Sequence, residues 1–194
     1  SFLCLDRHYF QDNNQGQKQY KILDGTKYIC DYAFHLNNNS FLGREYASNY
    51  CPFVLIELPS SVMAIGDFSF SGCSHLAKIT LPPKLTYIGK NPFTGTGNLN
   101  TIESMSPYFV IDLDCLIAKK TGTLIHCFRH IKQDSEETAT FTIPSNVTII
   151  GDYSFADKNG PHSASSAYVR RVIIPKTVTH IGKGGFEKNS FLEE

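Results

Sequence analysis

One motif recurs at a constant interval along the middle of this chain, and that interval limits the possible folds more than any other feature. Leu58, Pro59, Val62, Ile65, Gly66 and Phe70 have counterparts in Leu81, Pro82, Leu85, Ile88, Gly89 and Phe93, each pair 23 residues apart. Upstream, Phe53 and Ile56 match Leu76 and Ile79, then Leu99 and Ile102, at the same interval. One unit reads L-x-x-I-x-L-P-x-x-L-x-x-I-G-x-x-x-F. Two further copies, 143–155 and 174–186, lie 31 residues apart, and the excess fits the polar stretch 157–168. A degenerate first copy, 22–34, carries Cys30 in the Gly slot, and 13 extra residues follow it before Phe53. Five recurrences identify a repeat protein.

The spacing also dictates the shape of one unit. Ile79 and Leu81 alternate with Lys78 and Thr80, the period of two of a strand with one buried face. Pro82 has no N–H for a sheet ladder, so the strand ends there. Gly89 suits a tight turn, and the few residues around Phe93 suit a short helical or 3-10 turn. A unit of 23 residues cannot enclose a core alone. Stacked units can, with parallel strands about 4.8 Å apart. The expected fold is a mainly β solenoid of about five coils.

These motifs resemble the BspA-like class of leucine-rich repeats, with its I-x-L-P…I-G-x-x-A-F-x-x-C pattern. Phe70-Ser71-Gly72-Cys73 carries the complete ending, whereas Asn37, Thr96, Lys158 and Asn189 fill the Cys slot elsewhere, so the resemblance implies no ladder of disulfides. It covers most of 20–194. It implies cell-surface or secreted proteins, chiefly of host-associated anaerobic bacteria and some mucosal protozoa, with roles in adhesion and no shared catalytic residue.

The period breaks over 105–137. Two apolar runs, 109–118 and 123–128, flank the turn sequence Lys119-Lys120-Thr121-Gly122, the pattern of a β-hairpin. It is similar to the hairpin of type F-x-V-x-D-G-V-L-Y that interrupts many proteins of this class, with Asp114 in place of the Gly. The organisation expected is one leucine-rich repeat domain over 1–194, with a cap or partial repeat at 1–19 and the hairpin insertion at 105–137. Leu192 fills the slot of Leu76 and Leu99, so the chain is expected to stop inside a repeat.

Composition excludes several functions. The 18 basic residues balance the 18 acidic ones, against the basic excess of a nucleic-acid binder. No apolar run reaches the roughly 20 residues of a membrane-spanning helix, and 1–16 has no basic and apolar leader pattern. Six cysteines show no CxxC pair or zinc spacing, so no metal site or cofactor is expected. His126, Cys127 and His130 lie close in sequence, but neighbours on a strand face opposite ways, which defeats a nucleophile–base pair; a buried Cys and an exposed His are expected. A turn near Thr121 would set Cys115 opposite Cys127, leaving a cross-strand disulfide among the open pairings. Asn38 and Asn146 head N-x-[ST] sequences read as incidental, Gly182-Lys183-Gly184-Gly185 lacks phosphate-loop spacing, and Arg170-Arg171 fits a solvated strand edge.

No catalytic residues emerge. The expected function is a non-enzymatic, extracellular or cell-surface module that binds a protein or glycan, host-derived ligands included. The alternatives are an accessory domain of a larger secreted enzyme and a structural spacer. The outward strand slots (Gln19/Lys21, Leu55/Glu57, Lys78/Thr80, Thr101/Glu103, Thr140/Thr142 and Arg171/Ile173) carry no single charge sign and no aromatic platform. The insertion after Phe34 supplies Arg44, Tyr46, Asn49 and Tyr50, the adaptable amides and amphipathic rings of binding loops. With Lys119 and Lys120 at the hairpin turn, these are the expected binding residues.

Overall fold

The computed structural model describes residues 2–3, 18–34, 51, 53–128, 140–155, 170–187, 189 and 192–193. Each coil has a longer strand and a two-residue strand. The longer strands are β2 (Lys18–Lys21), β4 (Phe53–Glu57), β6 (Lys78–Leu81), β8 (Thr101–Ser104), β12 (Thr140–Thr142) and β14 (Arg171–Ile173). The shorter ones include β3 (Tyr28–Ile29), β5 (Ala64–Ile65), β7 (Tyr87–Ile88), β13 (Ile149–Ile150) and β15 (His180–Ile181). β1 (Phe2–Leu3) pairs with β3, and all these ladders are parallel.

The proline slot works as the unit's first corner. The carbonyls of Pro59, Pro82, Pro144 and Pro175 each accept from the N–H three residues on, at Val62, Leu85, Val147 and Val178. Coil 1 makes the same turn from Leu23 to Thr26 without a proline. The second corner follows the Ile-Gly pair. A Cβ on Gly89 would lie 2.7 Å from the backbone nitrogen of Asp67 in the coil below, so only glycine permits this approach. The expected helical turns are absent: among the described residues the segment up to each Phe closes through hydrogen-bonded turns, such as Ala33 N–H to Cys30 O and Ser71 N–H to Phe68 O. Three to four residues per corner are too few to propagate a helix.

The core is a stack of rings and aliphatic side chains. Phe34, Phe70 and Phe93 are fully buried and lie nearly parallel, with centroids 5.0 and 5.4 Å apart. Ile29, Ile65 and Ile88 form the column beside them, and Ile150 is buried in the second core cluster. In the last two coils Phe155 and Phe186 stack at 4.9 Å but are only half-buried, and Ile181 is 48% exposed, because β15 is the edge of its sheet. Leu192 packs half-buried on the core of this end.

Coil 4 departs from the rest. Its first apolar run is two strands, β9 (Phe109–Asp112) and β10 (Cys115–Ala118), reversed through Leu113 and Asp114, both with positive φ. β11 (Thr123–Cys127) completes an antiparallel meander. β11 also pairs in parallel with β13, Leu124 beside Ile150, so it serves as the short strand of coil 4. The insertion thus sits inside a sixth coil, between its long and short strands, in place of the proline turn.

Candidate interaction surface

The long-strand face is the broadest regular surface. Its outward slots are exposed or half-exposed as expected, and Tyr20, Ile56, Ile79, Ile102, Phe141 and Val172 turn inward. Lys78 Nζ bonds Glu103 Oε1 at 2.7 Å, and Thr80 Oγ1 donates to Glu103 Oε2 at 3.3 Å. The Lys78 hydrogen bond holds the Glu103 carboxyl below its usual value. These charges answer one another across coils.

The hairpin turn differs. Lys119 and Lys120 are exposed on it. Its backbone is tied to coil 5: Gly122 O accepts from the N–H groups of Thr148 and Ile149, and Thr121 O accepts from Thr148 Oγ1 at 2.7 Å. Gly122 has φ +62°, and a Cβ there would meet Thr148 Oγ1 at 2.6 Å and Asn146 O at 3.0 Å. Two exposed lysine side chains therefore stand on a fixed base. Arg44, Tyr46, Asn49 and Tyr50 lie outside the described residues, as does His130.

His126 and Cys127 reverse the expectation. His126 is buried and Cys127 half-buried. Both faces of β11 are covered, so strand alternation does not expose the imidazole. Its ring lies on Phe93 at 5.8 Å, extending the aromatic column. Nδ1–H donates to Asn91 Oδ1 at 2.6 Å, since an amide oxygen can only accept. Asn91, itself fully buried, donates from Nδ2 to Tyr153 O. His126 is thus a structural link. Among the described residues no His, Cys, Asp or Glu group could hold a metal ion. The glycine-rich 182–185 segment is the second corner of the last coil, where Gly185 N–H bonds Gly182 O.

One feature escaped the sequence reading. The third residue after each Ile of the Ile-Gly pair has positive φ: Tyr32 (56°), Phe68 (52°), Asn91 (27°), Tyr153 (58°) and Gly184 (61°). Bulky aromatics are poor candidates for that conformation, so their residue types concealed it. The fixed offset was the available signal. Tyr32 stacks on Phe68 at 5.4 Å and Phe68 meets Tyr153 at 5.8 Å, outside the core column. Beneath them runs a carboxylate ladder: Asp31, Asp67 and Asp152 accept from the N–H groups of Asp67, Lys90 and Lys183 in the next coil, at 2.7–2.9 Å.

The corner geometry, the stacked Phe column and the parallel ladders agree with a family match over most of the chain. The BspA type leucine rich repeat region, described with six copies, matches residues 43–159 and 126–194. The chain belongs to this BspA-type leucine-rich repeat family. A leucine rich cell surface protein from Faecalibacterium prausnitzii is similar over 90% of the chain, with 27% identity and a TM-score of 0.65. A leucine-rich repeat protein from Eubacterium ventriosum is similar over 83%, with 22% identity and a TM-score of 0.58. The chain spans 40% and 36% of those two chains. No curated protein matches it. The matched residues take in coils 2 to 6, coil 4 with its meander included, and begin after coil 1. No helix among the described residues is long and apolar enough to cross a membrane.

Proposed function

We propose that this BspA-type chain is a non-enzymatic module of a cell-surface or secreted protein, and that it binds a protein or glycan ligand through its insertions. The insertion after coil 1, with Arg44, Tyr46, Asn49 and Tyr50, and the coil 4 turn, with Lys119 and Lys120, provide the contacts. The observation that carries this reading is the contrast between two sets of charges. Lys78 is engaged by Glu103 on the strand face, whereas Lys119 and Lys120 project from a turn whose backbone is fastened at Gly122 and Thr121. A fixed backbone suits ligand capture, because only the two lysine side chains and not the turn itself must be ordered on binding. The described surface cell protein from Faecalibacterium supports the location.

The test is a screen of immobilised glycans and matrix proteins with the folded chain. Alanine at Arg44, Tyr46 and Tyr50, or at Lys119 and Lys120, should weaken the strongest interaction roughly tenfold or more, with the circular dichroism spectrum unchanged. Lys78→Ala should leave it intact. Background signal on every probe, or loss confined to Lys78→Ala, would overturn the reading.

A further inference from the structure

Among the described residues are two pairs of adjacent free thiols, and they differ in access. Cys51 and Cys73, whose thiols lie close enough to perturb one another, are 1% and 0% exposed. Cys115 and Cys127 are also free and face each other across the β10–β11 ladder, but Cys127 is half-buried while Cys115 is fully buried. Cys30 is disulfide-bonded, a state that persists in oxidising compartments.

The ladder sets the geometry of the second pair. Cys115 lies directly opposite Cys127 in the antiparallel register of β10 and β11. Phe128 N–H donates to Asp114 O at 3.0 Å, while Cys127 N–H turns away to Ser154 O at 3.1 Å. This bonding makes Cys115 and Cys127 a non-hydrogen-bonded pair, the site type with Cα atoms about 4.5 Å apart and the closest side chains. That separation falls inside the window for a disulfide, roughly 4.4–6.8 Å. The Cys51–Cys73 pair spans stacked coils, with Cys73 Sγ also turned to Phe34 O at 3.8 Å.

We propose that Cys115 and Cys127 are a modification site that closes to a cross-strand disulfide by exchange with a small-molecule disulfide. Cys127, as thiolate, attacks one sulfur of the reagent, breaks its S–S bond and releases one thiolate. Cys115 then loses its proton and attacks Cys127 Sγ, expelling the second thiolate. Two protein thiols are oxidised, one reagent disulfide is reduced to two thiols, and the two protons end on the released thiolates. The neighbouring Cys127 sulfur and then burial push the Cys115 thiol up, which leaves the first attack to Cys127. The bond would lock the open end of the hairpin whose turn displays Lys119 and Lys120, whatever ligand they meet.

The experiment incubates the native chain, with the Cys30 bridge intact, with oxidised glutathione. Denaturing alkylation and peptide mapping follow. The expected result is a Cys115–Cys127 linked peptide, full alkylation of Cys51 and Cys73, and a thermal midpoint higher by on the order of 5 °C. Cys115→Ala should instead accumulate glutathione on Cys127, and Cys127→Ser should leave Cys115 unmodified. A wild-type chain that keeps all four free thiols, holds a lasting glutathione adduct on Cys127, or links Cys51 to Cys73 in preference would overturn the proposal.

Discussion

Coils 1–3 and coil 4 solve the same stacking problem by different means. In coils 1–3 both sheets run unbroken, β2-β4-β6-β8 on one side and β1-β3-β5-β7 on the other, and the Phe rings stack face to face. At coil 4 both sheets break, but at different levels. The short-strand sheet stops at β7 and restarts at β11, while the long-strand sheet stops at β8 and restarts at β12. Coil 4 therefore holds coil 3 through β6–β8 and coil 5 through β11–β13. The staggered joint avoids a plane where every ladder is cut at once. Polar links reinforce it: His126 to Asn91, Asn91 to Tyr153, and Lys90 to Asp152 at 2.9 Å. Regular coils need apolar spacing. The joint needs particular polar groups.

The harshest test of that contrast removes the ring on which it turns. Phe93 is the last Phe of the regular column and carries His126 on its far side. Phe93→Ala should cost about 3–5 kcal/mol as a large-to-small core change, read from urea unfolding. Hydrogen exchange should accelerate in coils 3 to 5, since neighbours share the stack. A loss confined to coil 3 would break the idea of a continuous column.

His126→Phe asks whether the joint is held by ring stacking or by its hydrogen bond. The new ring would continue the column. It would also leave Asn91 Oδ1 without its donor at a residue that is 0% exposed. The unsatisfied amide should dominate, with a cost of about 1–3 kcal/mol. A variant as stable as the parent, or more so, would show that stacking alone suffices.

The same contrast explains how much could be read from the residues. Leu58-Pro59…Phe70 and its copies carried strand, corner and core at fixed offsets, because each slot of a regular coil meets the same slot of its neighbour. Coil 4 hid its identity: Leu124 replaces the Ile of the Ile-Gly pair, Ile125 replaces the Gly, and the proline corner has become β9 and β10. Leu113 concealed a turn, because a bulky aliphatic residue rarely adopts positive φ, and Asp114 stands at the second position where glycine would have marked it. Cys30 masked a glycine slot and gave no sign of its disulfide. Of the candidate site, Lys119 and Lys120 were legible as a turn, since the flanking apolar runs bound it. The positive-φ aromatics and the His126–Asn91 link depend on contacts across coils, which no single unit displays.

A smaller effect should appear at the meander's first turn, with opposite sign. Leu113 and Asp114 have φ of 44° and 59°, the left-handed pair of a type I′ hairpin, and Leu113 is 60% exposed. Replacing them with Asn and Gly should relieve backbone strain at little packing cost, a gain on the order of 1 kcal/mol. The thermal midpoint should rise by about 2–4 °C. No gain would mean that Leu113 covers apolar surface worth as much as the strain.

The smallest effect isolates the ionic part of the joint. Asp152 accepts from Lys90 Nζ and from Lys183 N–H, and the Lys90 bond, ahead of the opposing burial, holds its carboxyl below the usual value. A carboxyl depressed in the folded state stabilises fully above its unfolded pKa, about 3.9 for Asp. That contribution is lost as pH falls through the lower folded value. The partners' side chains are 54% and 28% exposed, so solvent screens the pair. Asp152→Asn keeps an oxygen for Lys183 N–H and deletes only the charge. Its midpoint at neutral pH should lie on the order of 1 °C below the parent, and the two curves should converge as the pH drops below the folded pKa. Added salt should narrow the gap at neutral pH as well. A difference that stays constant from neutral to strongly acidic solution would show that the charge of Asp152 is not what the joint uses, and would leave its polar part to Asn91 and His126.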